Sequence, residues 1–302
     1  MLDRSGLLTE QRLADSMRLD QMSSRQIVDL MNQQDLQAVL AVQRIAEEIA
    51  QGVDLIVDRF RKGGRLIYVG AGSSGRLGVL DASECPPTFR SDPNQVIGVI
   101  AGGPQAMFQA QEGAEDRFED GIDVMRRLKV SSCDVVCGIA AGGTTPFVHG
   151  ALAQAKFSEA ATIFITCVER FEQEPIYDLT LRALTGPEVL TGSTRLKAGT
   201  ATKLILNQLT TASMVRLGKC YENLMVDLKA SNQKLKDRAV RVIQMICGTD
   251  RETSTILLEQ ANGHVKPAVV MWKHGCSLTE AHRLLEQSQG SLRQALEKET
   301  GE

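Results

Sequence analysis

The residues with chemistry to offer gather in short glycine-bounded turns. In Gly70-Ala71-Gly72-Ser73-Ser74-Gly75, two hydroxyls stand among three glycines, after the apolar run 66–69 and before a helical pattern from about 76 to 83. A strand that turns through glycines into a helix start makes an anion site. Glycine lets the backbone approach a ligand, free N–H groups point at it, and the helix dipole favours negative charge. Serine hydroxyls at such a place suit phosphate oxygens. Just past the expected helix stands Glu84, followed by Cys85-Pro86-Pro87. The two prolines are expected to end the helix and push Cys85 toward an extended backbone. That arrangement would hold a carboxylate within reach of a sugar phosphate bound at the turn. A phosphate cradle with an acid beside it is the functional core the sequence points to.

Two further turns repeat the theme. Ala141-Gly142-Gly143-Thr144-Thr145-Pro146 follows an apolar run at 134–140, and Ser193-Thr194 precedes a long helical pattern from about 196. Thr144, Thr145, Ser193 and Thr194 can each be read as helix caps or as ligand hydroxyls. What raises all three turns together is that each offers hydroxyls and N–H groups at a helix start beside one sheet edge. The run EGAED holds Glu112 and Glu115, three apart on an expected helix, and spacing alone does not tell which points inward. Cys85 has no histidine near it in sequence and reads as a structural thiol rather than a nucleophile.

Gly70, Gly72 and Gly75 also satisfy G-x-G-x-x-G, so a dinucleotide site has to be weighed. Such a site wants an acid at the end of the second strand to hold the ribose. Here that strand ends Val99-Ile100-Ala101-Gly102-Gly103, without one. The serines inside the turn likewise favour a terminal phosphate.

The elements that must position these turns alternate in a simple way. Apolar runs at 66–69, 95–101, 134–140 and 161–167, and a short one near 179–184, are separated by helical stretches. That order predicts an α/β fold, a three-layer, Rossmann-like parallel sheet covered by helices, with ligands at the carboxyl ends of the strands. Helices are expected at about 24–32 and 35–61, from Pro104 through EGAED, and at 196–217 and 232–246. Ser23 and Ser24 look like caps for the first of them. Short helices at 251–261, 265–274, 278–287 and 290–298, with Ser277 and Ser288 as possible caps, form a tail with too little core to stand alone. The expected division is 1–62 as an N-terminal helical segment, 63–248 as a phosphosugar-binding domain and 249–302 as a C-terminal helical module.

Composition narrows the function class. The chain has 302 residues, a net charge of −3 and no long basic run, which argues against a nucleic-acid surface. The start, MLDRSGLLTEQR, lacks the apolar core of a signal peptide, and no apolar run approaches a membrane span. A cytoplasmic protein is expected. The seven cysteines are scattered and odd in number, so they read as reduced thiols, and the four histidines show no metal-ligand spacing. Neither a metal nor a cofactor is called for.

Residues 65–89, RLIYVGAGSSGRLGVLDASECPPTF, resemble the sugar isomerase (SIS) domain family, and more closely the bacterial N-acetylmuramic acid 6-phosphate etherases, relatives of glucokinase regulatory protein. The same resemblance is carried by EGAED at 112–116, GPEVLTGSTRLKAGTATKLILNQLTTASMVRLGK at 186–219 and NLMVDLKASNQKLKDRAVRV at 223–242. NGHVKPAVVM and SLRQAL extend it into the tail. It implies a catalytic acid at Glu84 with a second acidic position at Glu115. It also implies phosphate and sugar contacts at Ser73 and Ser74, flanked by Gly72 and Gly75, and at Ser193 and Thr194, with Thr144 and Thr145 in the second turn. It further implies a homodimer with the site near the interface, and N-acetylmuramic acid 6-phosphate as substrate. The sequence departs from the family pattern in two places. The second turn usually reads A-A-S-G-R-T-P, whereas Gly142 and Thr144 replace its serine and arginine here. The N-terminal T-E-x-R-N-P pattern is Thr9-Glu10-Gln11-Arg12-Leu13-Ala14. A phosphosugar isomerase and a non-catalytic hexose 6-phosphate sensor are the alternatives on the same scaffold.

Overall fold

The computed structural model describes residues 6–230 and 232–298. After short 3-10 turns, α1 (Ser24–Arg44) opens on a capping box: the Ser23 hydroxyl accepts from the Gln26 amide, and the Gln26 side chain accepts from the Ser23 amide at 2.8 Å. The expected break at 33–34 does not occur. Asn32 and Gln33 are polar but carry nothing that stops a helix, and buried Gln34 accepts a hydrogen bond from Lys197. The break falls instead at Ile45, before α2 (Ala46–Arg61).

The strand β1 (Leu66–Gly70) is buried throughout and leads into α3 (Gly72–Phe89). Here the sequence expectation fails. The helix starts earlier and continues through Glu84, Cys85, Pro86 and Pro87, so Glu84 is helical and Cys85 is not extended. The prolines stand in the last turn, where only the bonds to the carbonyls of Ala82 and Ser83 are forfeited. Burial of Cys85 and Phe89 holds that turn in place.

Next come β2 (Val96–Ile100) and, where one helix was expected through EGAED, two 3-10 turns at Pro104–Met107 and Ala114–Asp116 before α4 (Phe118–Arg127). Gly113, at φ +71°, turns the chain left-handed between Glu112 and Glu115, so the two acids do not share a helix face. The alternation then runs through β3 (Val135–Ile139), α5 (Pro146–Phe157), β4 (Ala161–Thr166), β5 (Leu179–Arg182) and α6 (Lys197–Arg216).

Among the described residues these strands form one five-stranded parallel sheet in the order β2-β1-β3-β4-β5. The chain reverses direction across the sheet between β1 and β3, and Gly70, at the end of β1, pairs in register with Ile100 and Ile139. The opposite edge is pinned by Asp134, which accepts from Arg65 Nε at 3.0 Å and Nη2 at 2.7 Å. Burial pushes the Asp134 carboxyl up, but the Arg65 bonds overcome it and hold the group below its ordinary range. Helices α4 and α5 meet backbone to backbone at two glycines. A Cβ on Gly121 would lie 2.1 Å from the Phe147 carbonyl oxygen, and one on Gly150 would lie 2.0 Å from that of Phe118.

The described chain forms two compact units, one built on residues up to 83 and 94–210, the other on 84–93 and from 211 onward. These part at different points from the boundaries at 62/63 and 248/249 read from the sequence. The second unit holds an antiparallel pair, β6 (Cys220–Tyr221) and β7 (Leu224–Met225), then α7 (Gln233–Cys247), α8 (Arg251–Gln260), α9 (Val265–His274), α10 (Leu278–Gln287) and α11 (Leu292–Glu297). Its core includes Ile243 from α7, Val270 from α9 and Leu284 from α10. The tail gains a sufficient core because α7 belongs to it. Ser277 caps α10 as expected, but Ser288 ends that helix, and Ser291 is the cap of α11. No helix among the described residues is long and apolar enough to cross a membrane.

Gly150→Val, which forces a side chain into the Phe118 carbonyl, should cost about 3 kcal/mol or more. Chemical denaturation against the unsubstituted protein checks this.

Candidate functional site

The first turn is built by a close approach. A Cβ on Gly70 would stand 2.6 Å from the Gly75 amide nitrogen, and one on Gly75 would stand 2.7 Å from the Gly70 carbonyl oxygen. Only two glycines let α3 start so tightly against the end of β1. Gly72 takes φ +51° at the first helical position, and the Gly75 amide already donates to Ala71. The amides of Gly72, Ser73 and Ser74 open the helix with no carbonyl a turn behind them. The hydroxyls of Ser73 and Ser74 are half-buried and have no hydrogen-bond partner among the described residues.

Two hollows flank this helix start, and Arg76 lines both. One, of about 430 Å³, is bordered by Ser73, Arg195 and Lys203 as well, so three cationic residues line the same hollow as a serine at a helix N-terminus. Arg195 and Lys203 were not singled out by sequence reasoning. The other, of about 300 Å³, is bordered by Gly72 and by Glu112 and Glu115, which brings the second acid beside the first turn.

Glu84 is placed differently. It stands on α3 eleven residues beyond Ser73, about 16 Å further along the axis but on nearly the same face. Its side chain is exposed. The expectation of a carboxylate held directly beside the first turn rested on a helix ending at residue 83. With the helix continuing, one chain does not bring Glu84 against Ser73 and Ser74.

The second turn lies next to the first, because β1 and β3 are neighbours in register. Thr145 occupies the N-cap position of α5, but its side chain makes no capping bond, and Pro146 takes the first helical position. Thr144 and Thr145 are half-buried, with hydroxyls left over. The third turn is tied to the second through Thr9: its carbonyl accepts from the Gly192 amide at 3.2 Å, and its Oγ1 lies 3.8 Å from where a Cβ on Gly142 would be. Thr9 is fully buried and its hydroxyl has no partner among the described residues. The match to the T-E pattern was the only signal for it.

At the third turn the helix start is already filled. The buried Glu188 carboxylate accepts from the amides of Lys197 and Ala198, each at 3.0 Å. Burial pushes the Glu188 carboxyl up, and those two amides and Lys197 oppose the shift. The amides expected to serve a ligand at α6 are therefore taken by the chain itself. Ser193 and Thr194 sit half-buried in the turn ahead of that helix.

Asp81 fixes α3 from behind. It accepts from Tyr68 Oη at 3.0 Å on β1, and from Asn207 Nδ2 at 2.8 Å and Thr210 Oγ1 at 3.2 Å on α6. Nothing in the local sequence distinguished this aspartate from a solvent-facing one.

Comparison with known proteins adds a further set of findings. Residues 48–156 match the family model described as the glucokinase regulatory protein N-terminal SIS domain. Over nearly its whole length the chain is similar to the N-acetylmuramic acid 6-phosphate etherase of Nostoc sp., at 51% identity covering 97% of this chain and 96% of that relative. It is equally similar to N-acetylmuramic acid 6-phosphate etherase 2 of Vibrio cholerae, at 51% identity covering 97% and 95%. A solved structure of an E. coli protein aligns with a TM-score of 0.46 at 17% identity, covering 65% of this chain and 94% of that one.

Burial raises the Asp81 carboxyl above its ordinary 3.8, against the pull of its hydrogen bonds to Asn207, Thr210 and Tyr68. Because the folded value is the higher one, the contribution to stability is full below 3.8 and fades as pH rises through the folded value. Asp81→Asn should abolish that component, which unfolding curves at a series of acidic pH values measure.

Proposed function

The chain belongs to the N-acetylmuramic acid 6-phosphate etherase family, and from this we infer that the protein cleaves the D-lactyl ether of N-acetylmuramic acid 6-phosphate. The products are N-acetylglucosamine 6-phosphate and D-lactate. The observation that carries this reading is identity at about half of all positions along almost the entire chain. The hydroxyl-bearing helix starts at the ends of β1 and β3 support it.

The chemistry needs no metal or cofactor. In the ring-opened sugar the aldehyde acidifies the proton on C2. A base removes that proton, the C3–O bond breaks and lactate leaves with a proton, and water then adds at C3 to give the hydroxyl. Glu115 assists proton transfer at C2. Glu84, which one chain does not bring to its own first turn, is supplied by the second copy in the dimer; it protonates the departing lactate and then helps activate the water. Gly72, Ser73, Ser74, Gly75, Thr144 and Thr145 grip the 6-phosphate, with Arg76, Arg195 and Lys203 supplying positive charge around Ser73. Ser193 and Thr194 contact the sugar. Phosphate binding remote from the reacting carbons anchors the substrate while the carboxylates act. These contacts fall within the stretch 63–248 read as the phosphosugar-binding part.

A homodimer with the site near its interface follows from the same reading, and two surface features support it. The exposed side of α1 carries Val28, Leu36, Val39 and Leu40 along one stripe, an apolar surface that a single chain leaves uncovered. Glu84 and Leu80 are exposed on the face of α3 that also bears Ser73. The substrate carries a phosphate and a carboxylate and does not cross a bilayer unaided, which supports a place in the cytoplasm.

Incubation with N-acetylmuramic acid 6-phosphate while following D-lactate tests the activity. An isomerised sugar without lactate release, or binding without turnover, would overturn it. Glu84→Gln should reduce lactate release by about 100-fold or more while leaving the unfolding transition in place. Leu36→Glu combined with Val39→Glu should shift the sedimentation of the protein to that of a single chain and lower its activity.

A further inference from the structure

His149 lies one turn into α5, against the second glycine turn. Its Nε2 is 2.8 Å from the Gly143 carbonyl oxygen, and its Nδ1 is 2.6 Å from Tyr177 Oη. A carbonyl only accepts, so Nε2 carries the proton, and Nδ1 of the neutral ring accepts from the tyrosine hydroxyl. The ring lies nearly parallel to Tyr177, at 11° and 6.2 Å between centroids, and tilts against Phe164 of β4 at 5.5 Å. Burial pushes the pKa of His149 below its ordinary 6.5, which favours the neutral ring. The charged group facing both rings is Glu174, and Arg182 Nη2 holds its Oε1 at 2.5 Å.

Gly143 has both backbone groups engaged. Its amide donates to Ala140 at 2.9 Å and its carbonyl accepts from His149. Its φ of +75° excludes a side chain, and a Cβ would stand 2.9 Å from Val168 Cγ2. Thr144 and Thr145 come immediately after this clamped residue. Their direction is set by the plane of the peptide that His149 holds.

We propose that His149 is a positioning residue for the anion site. Through its Nε2–H it fixes the Gly143 carbonyl, and so the second turn, in the form that presents Thr144, Thr145 and the start of α5 to the phosphate. The Gly143 carbonyl fixes the tautomer, and Tyr177, donating to Nδ1, holds the ring against it. The inference rests on the reading that this turn grips the 6-phosphate.

Three variants separate the roles. His149→Gln places an amide N–H near the position of Nε2, His149→Leu offers no donor, and Tyr177→Phe removes the hydroxyl that donates to Nδ1. The readouts are KM and kcat for lactate release, and the affinity for sulfate by calorimetry, which needs no turnover. His149→Leu should weaken sulfate binding and raise KM about tenfold, the loss of one buried hydrogen bond, with kcat little changed. His149→Gln should recover most of that loss. Ring ¹⁵N spectra should show a single Nε2–H tautomer in the natural protein, kept in Tyr177→Phe because the Gly143 carbonyl still requires the donor. Equal KM and sulfate affinity in the Leu and Gln variants, or a ring protonated at Nδ1, would overturn the inference while D-lactate release by the natural protein keeps the parent reading. A natural protein that neither releases D-lactate nor binds sulfate would overturn both.

Discussion

The ligand end of the sheet depends on how closely the backbone of α3 approaches β1. With Gly70 and Gly75 in contact, a methyl group on either would meet backbone atoms closer than 3 Å and lever the helix start away from the strand. The amides of Gly72, Ser73 and Ser74 would then lose their common direction. Asp81 secures the same helix a few turns on, through three bonds to groups on β1 and α6, so its start and its middle are both tied to the sheet layer. The turn is rigid because two unrelated constraints, steric and polar, agree on where α3 must lie.

The three helix starts at this edge share a dipole but not a fate. Each offers unpaired amides and a partial positive charge. At α6 the chain answers with its own Glu188, so that end is electrostatically complete. At α5 the N-cap threonine leaves its hydroxyl unused, and the preceding carbonyl is turned away by His149. At α3 neither serine hydroxyl has a partner among the described residues, and Arg76, Arg195 and Lys203 line a hollow with the first of them. The donors left open at this edge are therefore those at the starts of α3 and α5. These follow adjacent strands at the point where the sheet reverses its winding, the place where α/β folds collect ligands.

The second turn departs from the pattern of the relatives it resembles, with Gly142 and Thr144 where that pattern has serine and arginine. The surroundings soften both changes. Next to Gly142 lies the buried hydroxyl of Thr9, without a partner among the described residues and delivered by the N-terminal segment. Positive charge near the neighbouring turn comes from Arg76, Arg195 and Lys203. A turn can lose side-chain donors and still present its backbone, because the backbone direction is set by Gly143 and the ring beneath it.

Local signals determined a large part of this. Continuous apolar runs and glycine punctuation placed the five strands to within two residues, and predicted a parallel sheet, because side-chain period and turn chemistry are written in neighbouring residues. That Ser73 and Ser74 follow β1, and Thr144 and Thr145 follow β3, was legible for the same reason. What tertiary structure alone decided involves residues distant in sequence. Pro86 and Pro87 stay helical where burial of Cys85 and Phe89 outweighs two lost hydrogen bonds. Glu188 fills the start of α6, Asp81 finds partners on two other elements, and His149 meets Tyr177 twenty-eight positions later. Propensity acts over a few residues, whereas the satisfaction of a buried polar group is settled by whatever the fold brings beside it.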